Sequence, residues 1–203
     1  MKNNITGIIL AGGMARRMGG RDKGLIKLAN KPLVEYVIEA LTPQVGSLII
    51  NTNRNFTSYR NYGLPIVVDS ISGFHGPLAG MASCMCVVDK EYMVTVPCDS
   101  PNLPADLVER MYNSLTREKA EISVAHDGNY IQPVFALMKT NLLDSLLDFL
   151  KGEDRKISMW FDEHKLAIVD FSDKPETFIN INTPEDIKMA ESSLSMRSTC
   201  DIN

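Results

Sequence analysis

The sequence predicts a single α/β domain built in three layers, with a mostly parallel sheet and helices on both faces. Three observations carry this. Short apolar runs rich in Ile and Val alternate along the chain with stretches of helical spacing, the pattern of repeated strand-helix-strand units. At 203 residues and 44% hydrophobic content, the chain is long enough to bury a sizeable core in one domain. Prolines stand where helices can begin, at Pro32, Pro104 and Pro184.

The elements follow in order. A first strand over residues 8–10 stops at Gly12 and Gly13, where glycine opens backbone conformations closed to other residues. The stretch "NKPLVEYVIEAL" is a helix with Leu33, Val37 and Leu41 on one face, and a second strand over 47–50 ends at Asn51. A third strand over 66–68 ends at Asp69, and "GPLAGMASCMCVV" is a buried helix whose small residues allow close packing. A fourth strand over 92–96 leads into "PCDSP", and a helix runs from Pro104 to about 115. "AEISVAHDG" is a strand entering a turn at Asp127 and Gly128, with 134–138 as its neighbour, so this part is expected to be antiparallel. A helix over 141–151, a short helix in "KISMWFDEH" and strands at 166–169 and 178–181 complete the core. Thr183 offers a capping hydroxyl, Pro184 the first helical position, and Glu185 and Asp186 acids for the first turn of a last helix. The domain is expected to span 1–191, and 192–203 is read as a polar, serine-rich, flexible tail.

A net charge of −4 and a pI near 5.4 give no global attraction to nucleic acid or to anionic membrane. Any polyanion must meet a local basic cluster, and the dense one is Arg16, Arg17, Arg21 and Lys23. Cys84, Cys86, Cys98 and Cys200 fit neither a zinc ribbon nor a disulfide framework, which points to reduced thiols and a cytoplasmic location. No signal peptide and no apolar run of about 18 residues speaks for secretion or membrane insertion.

In an open parallel sheet, ligands bind outside the carboxyl ends of the strands. Here those ends carry Ala11, Gly12 and Gly13, then Asn51, then Asp69, then Pro97, Cys98 and Asp99. Each polar residue alone reads as a cap or turn. Together they place backbone donors and positive charge from Arg17 and Lys23 opposite the hard oxygens of Asp69 and Asp99, a mixture suited to a nucleoside triphosphate with Mg²⁺. Arg21 and Asp22 are read as a local pair, and Gly19 and Gly20 as a hinge that lets the loop close over phosphates.

The stretch "LAGGMARRMGGRDKGL" resembles the nucleotide-binding signature of the molybdenum cofactor guanylyltransferases. "NKPL", "NTNR", "GPLAG", "PCDSP" and "NINTPED" have counterparts in that family in the same order, so the resemblance covers residues from about 5 to 190. It implies the three-layer, Rossmann-like nucleotidyltransferase fold, with a nucleotide-binding half over about 1–100 and an acceptor-binding half over about 101–191. It also implies Mg²⁺-dependent transfer of GMP from GTP to the terminal phosphate of Mo-molybdopterin, releasing pyrophosphate. By this resemblance Leu10, Ala11, Gly12 and Gly13 wrap the nucleotide, Arg17 and Lys23 contact phosphates, Asn51 and Asp69 contact the guanosine, and Asp99 carries Mg²⁺. Gly80, Asn180 and Asn182 resemble acceptor-side residues, whose amides suit a pterin.

The glycine at position 13, where related cytidylyltransferases often carry alanine, favours GTP over CTP. Gln132 stands where many relatives have His, and Asn30 where they often have Gly. The partners implied are molybdenum-insertion and molybdoenzyme proteins, with the chain itself a monomer. Two other readings stay open: a cytidylyl or sugar-phosphate nucleotidyltransferase, and a non-catalytic GTP-binding accessory module.

Overall fold

The computed structural model describes residues 1–11, 14–15, 20–70, 76–152, 154 and 156–200, without the side chains of 14, 15 and 193–200. Its strands are β1 (Ile5–Leu10), β2 (Met14–Ala15), β3 (Arg21–Asp22), β4 (Lys27–Leu28), β5 (Lys31–Pro32), β6 (Ser47–Asn51), β7 (Ile66–Val67), β8 (Tyr92–Pro97), β9 (Ile122–His126), β10 (Ile131–Lys139) and β11 (Leu166–Asp170). Its α-helices are α1 (Leu33–Leu41), α2 (Phe56–Arg60), α3 (Pro77–Met85), α4 (Leu107–Glu118), α5 (Leu143–Lys151), α6 (Ile157–Phe161) and α7 (Pro184–Cys200).

Among the described residues one sheet has seven strands, in the order β11-β9-β10-β8-β1-β6-β7. Every neighbouring pair is parallel except those made by β10, which runs antiparallel to β8 and β9. The antiparallel part therefore falls where the turn at Asp127 places it: the Asp127 carboxylate accepts from the backbone N–H groups of Asn129 and Tyr130 and closes the hairpin. Helices cover both faces. Ile5 and Ile9 of β1 pack with Val34, Val37 and Leu41 of α1 and with Leu107, Val108, Met111 and Leu115 of α4. Ile8 points the other way, into a core with Leu78 and Met81 of α3, Leu146 and Leu150 of α5, and Trp160 and Phe161 of α6. A strand buried on both faces reads as a continuous apolar run, which is how β1 reads.

Trp160 is fully buried in this second core, and its indole N–H donates to Ser145 Oγ at 3.2 Å. Trp160→Ala is expected to cost about 3–5 kcal/mol through the cavity it leaves, read as a lower urea midpoint with an unchanged slope.

The structure departs from the sequence pattern in three places. Residues 178–181 form no strand; a 3₁₀ turn covers Pro175–Phe178, and the chain after it makes one backbone bond to the end of β8, Ile181 N–H to Asp99 C=O at 3.0 Å. Only Ile181 of the apolar pair Ile179 and Ile181 is buried, so the segment is an anchor one residue deep. The short α2, which begins after Asn55 in a left-handed conformation (φ +53°), carries too few turns to show a helical period. The last helix passes Ser192 and reaches Cys200, with no proline or glycine after Pro184 to stop it. At Asn30 the left-handed backbone (φ +66°) is the turn that asparagine tolerates in place of glycine. No helix among the described residues is long and apolar enough to cross a membrane.

Candidate active site

Register brings the strand ends together. Leu10 lies opposite Asn51 on one side and Pro97 on the other, and Asn51 lies opposite Val67. The ladder continues one residue further, through Ala11 N–H to Asn51 C=O at 2.8 Å and Cys98 N–H to Leu10 C=O at 3.2 Å. The chain runs from β1 outward to β6 and β7, then returns to β8 on the opposite flank. The edge between β1 and β8 is thus the point where strand order reverses, and a crevice forms at such points in open α/β sheets.

On the β6 side, Asn51 is buried and its amide donates to Asp69 Oδ1 at 2.8 Å and to Val67 C=O at 3.2 Å. Asn53 grips the same carboxylate from the other side: its amide donates to Asp69 Oδ2 at 2.8 Å and its oxygen accepts from Asp69 N–H at 2.9 Å. Both carboxylate oxygens are therefore oriented before any ligand arrives. Gly80 sits on α3 directly against this group, where an added Cβ would stand 2.3 Å from Asn51 Oδ1 and 3.1 Å from Leu10 Cδ2. It is the close approach of α3 to Asn51 that requires glycine here, so Gly80 lies beside Asn51 and Leu10.

On the β8 side, Asp99 is 4% exposed and Oδ2 accepts from Lys23 Nζ at 2.8 Å. The same ammonium donates to Asn182 Oδ1 at 2.5 Å, and the fully buried Ser100 hydroxyl donates to Asn180 Oδ1 at 2.5 Å. With the Ile181 backbone bond, three consecutive residues of the C-terminal segment are tied to the turn at 99–100 or to the lysine beside it. Asn182 is fixed from behind as well. Asp186 accepts from the backbone N–H groups of Asn182 and Thr183, both at 2.8 Å, while its own N–H donates to Thr183 Oγ1, a reciprocal cap at the start of α7. The Asn182 N–H holds the Asp186 carboxyl below the usual carboxylate range.

The pairing expected between Arg21 and Asp22 does not form. Asp22 is buried, forms an ion pair with Arg54 at 3.5 Å, and accepts from Tyr59 OH at 2.6 Å, Asn55 Nδ2 at 2.9 Å and Gly24 N–H at 3.1 Å. Arg54 stands in the quoted "NTNR" stretch, but nothing in the local pattern links it to a residue 32 positions earlier. Ser100 and Asn53 escape sequence reasoning for the same reason: each acts by holding a residue from elsewhere in the chain.

Leu10, Ala11, Lys23, Asn51, Asp69, Gly80, Asp99, Asn180 and Asn182 thus all reach one edge of the sheet or the segment strapped to it. Gly12, Gly13 and Arg17, with Arg16, Gly19 and His75, lie outside the described residues. Cys84, Cys86 and Cys98 are free, and burial pushes the Cys84 thiol up to about 12, which keeps it protonated at neutral pH. Among the described residues no group of three His, Cys, Asp or Glu side chains gathers to hold a metal ion. The single buried carboxylate of Asp99 is compatible with Mg²⁺, which is commonly held by one or two carboxylates together with substrate phosphates and water.

Lys23 and Asp99 meet beside the switch point of a mostly parallel sheet, the place where α/β proteins of the nucleotide-binding class take their ligand. The chain belongs to the MobA-like NTP transferase family, whose domain model matches residues 7–168. It is 49% identical over 185 residues to the molybdenum cofactor guanylyltransferase of Shewanella sediminis, covering 91% of this chain and 94% of the relative. It is 50% identical to the protein of the same name from Shewanella woodyi, with the same coverage. The fold matches the crystal structure of molybdopterin-guanine dinucleotide biosynthesis protein A from Archaeoglobus fulgidus with a TM-score of 0.79 at 23% identity, over 94% of this chain and 99% of that one.

Proposed function

We propose that this chain transfers GMP from GTP to the terminal phosphate of molybdopterin carrying molybdenum, forming the guanine dinucleotide cofactor. An acceptor phosphate oxygen bonds to the α-phosphorus of GTP, and the bond to the bridging oxygen of the β-phosphate breaks, so pyrophosphate leaves. A phosphate monoester has its second pKa near about 6 and is mostly ionised at neutral pH, so the step needs no dedicated general base. The chain must bring two polyanions together, align them and spread charge at the reacting phosphorus.

The observation that carries the catalytic reading is the Lys23 ammonium standing between Asp99 and Asn182, where the nucleotide-side loop meets the acceptor-side segment. Lys23 neutralises phosphate oxygens as a point charge. Arg17 adds a second cation from the same loop. Leu10, Ala11, Gly12 and Gly13 offer backbone to the nucleotide, and Asn51 and Asp69 take the guanosine. Asp69 fits that role because Asn51 and Asn53 already aim its oxygens. Asn180 and Asn182, held by Ser100 and Asp186, take the acceptor, with the division near residue 100 separating the two halves. Asp99 would hold Mg²⁺ jointly with the triphosphate, and the bound ion would stabilise charge on the transferring phosphate. The choice of GTP and of the molybdenum cofactor rests on the names of relatives that are about half identical. The same reading has the chain working in the cytoplasm as a monomer, receiving its acceptor from molybdenum-insertion proteins and passing product to molybdoenzymes.

Nucleotide choice is tested by melting. GTP at about 100 times its Kd is expected to add about 2.7 kcal/mol, a rise of about 5–11 °C for a chain of this size. Greater stabilisation by CTP or dTTP than by GTP would overturn the guanylyl assignment.

A further inference from the structure

We infer that Asp22, Tyr59 and Arg54 are positioning residues for Lys23: α2 and the segment that leads into it hold the end of the basic loop and so set where the lysine ammonium stands. The inference rests on the proposal that Lys23 meets the phosphates. Its ground is the way the stretch 20–24 is pinned. The Asp22 side chain is only 2% exposed, and a carboxylate so buried is costly unless its oxygens are satisfied. They are: Tyr59 OH and Gly24 N–H donate to Oδ1, and Asn55 Nδ2 donates to Oδ2, which also faces Arg54 Nε.

The Arg54 guanidinium does more than balance that charge. Its two terminal nitrogens donate to Gly20 C=O at 2.9 Å and Arg21 C=O at 3.0 Å, so one planar fork spans the backbone just ahead of Asp22. On the other side, Gly24 packs so closely that an added Cβ would stand 2.5 Å from Tyr59 OH and 3.3 Å from Cys98 Cβ. Lys23 is the residue between these fixed points. Its backbone is held toward α2 while its side chain reaches Asp99, the residue after Cys98. Arg54 also neutralises Asp22, so the nearest carboxylate in sequence does not compete for the lysine ammonium. Preorganised charge works only when it stands in place before the reaction, and a misplacement of about 1 Å can cost about 10²-fold in rate.

The test is a double-mutant cycle on the full chain, with GTP, Mg²⁺ and molybdopterin, following GMP transfer. In Asp22→Asn the new amide donors face Asn55 and Arg54, which are donors too, so the clamp loosens with little change in side-chain volume. Expected is a fall in kcat of about 10- to 10²-fold with KM for GTP changed by less than about threefold, because an interaction made chiefly in the transition state is lost. In the Lys23→Ala background the same substitution is expected to change kcat by less than about twofold. Tyr59→Phe, which removes one hydroxyl, runs through the same cycle should Asp22→Asn fold poorly, and is expected to show the same non-additivity. An equal loss from the clamp substitution with and without Lys23, or no loss in kcat at all, overturns the inference. An undiminished rate in Lys23→Ala alone overturns the role of the lysine on which it rests, a separate and distinguishable outcome.

Discussion

Lys23→Ala is expected to slow GMP transfer by about 10²–10³-fold in a protein that still folds, the loss typical of removing one preorganised charge-stabilising donor. The ammonium lies between a carboxylate from the end of β8 and an amide from the C-terminal segment, so no neighbouring cation takes its place among the described residues that contact Asp99. The lysine side chain is a quarter exposed, and water can occupy the space it leaves, which limits the structural cost. The fold is checked by an unchanged circular dichroism spectrum and a cooperative melt. Rate loss without loss of cooperativity separates chemistry from unfolding.

Asp99→Asn has the second large effect. The substitution keeps the volume and an oxygen that accepts from Lys23, and it leaves the backbone bond from Ile181 to residue 99 in place. What it removes is the charge. A carboxylate that holds a divalent cation with the triphosphate contributes several kcal/mol to transition-state charge stabilisation, so the expected loss is at least about 10²-fold. Asp99→Ala is expected to lose as much or more, since the lysine then also loses one of its two acceptors. A wild-type rate for Asp99→Asn across a Mg²⁺ titration would strip Asp99 of the metal and leave it as an anchor for Lys23 alone.

The sheet was legible because its signal is local. Apolar runs such as 8–10, 47–50 and 92–96 mark strands buried on both faces, and the positions just after them fall at one edge whatever the order of the strands. Asn51, Asp69 and Asp99 could be read for that reason. Strand order itself, and with it the switch point between β1 and β8, depends on pairings between residues far apart in the chain. Residues 178–181 mislead because alternating Phe, Ile and Asn carry a strand-like pattern, yet the segment buries Ile181 and leaves Ile179 exposed, and its ties to the end of β8 are one backbone bond to Asp99 and one side-chain bond to Ser100. Asp22 shows the same limit at the scale of one side chain. Its nearest opposite charge in sequence is Arg21, but Arg54, Asn55 and Tyr59 satisfy it in the fold. The contact of Lys23 with Asn182 spans 159 positions, and no periodicity records it.

The measurement that bears most directly on the central claim mixes the chain with GTP, Mg²⁺ and molybdopterin carrying molybdenum, and reads the products by mass. The account predicts the guanine dinucleotide and one pyrophosphate for each GMP transferred, with neither formed when Mg²⁺ is chelated. Tight binding of GTP and cofactor with no dinucleotide and no pyrophosphate would contradict it and make the chain a carrier.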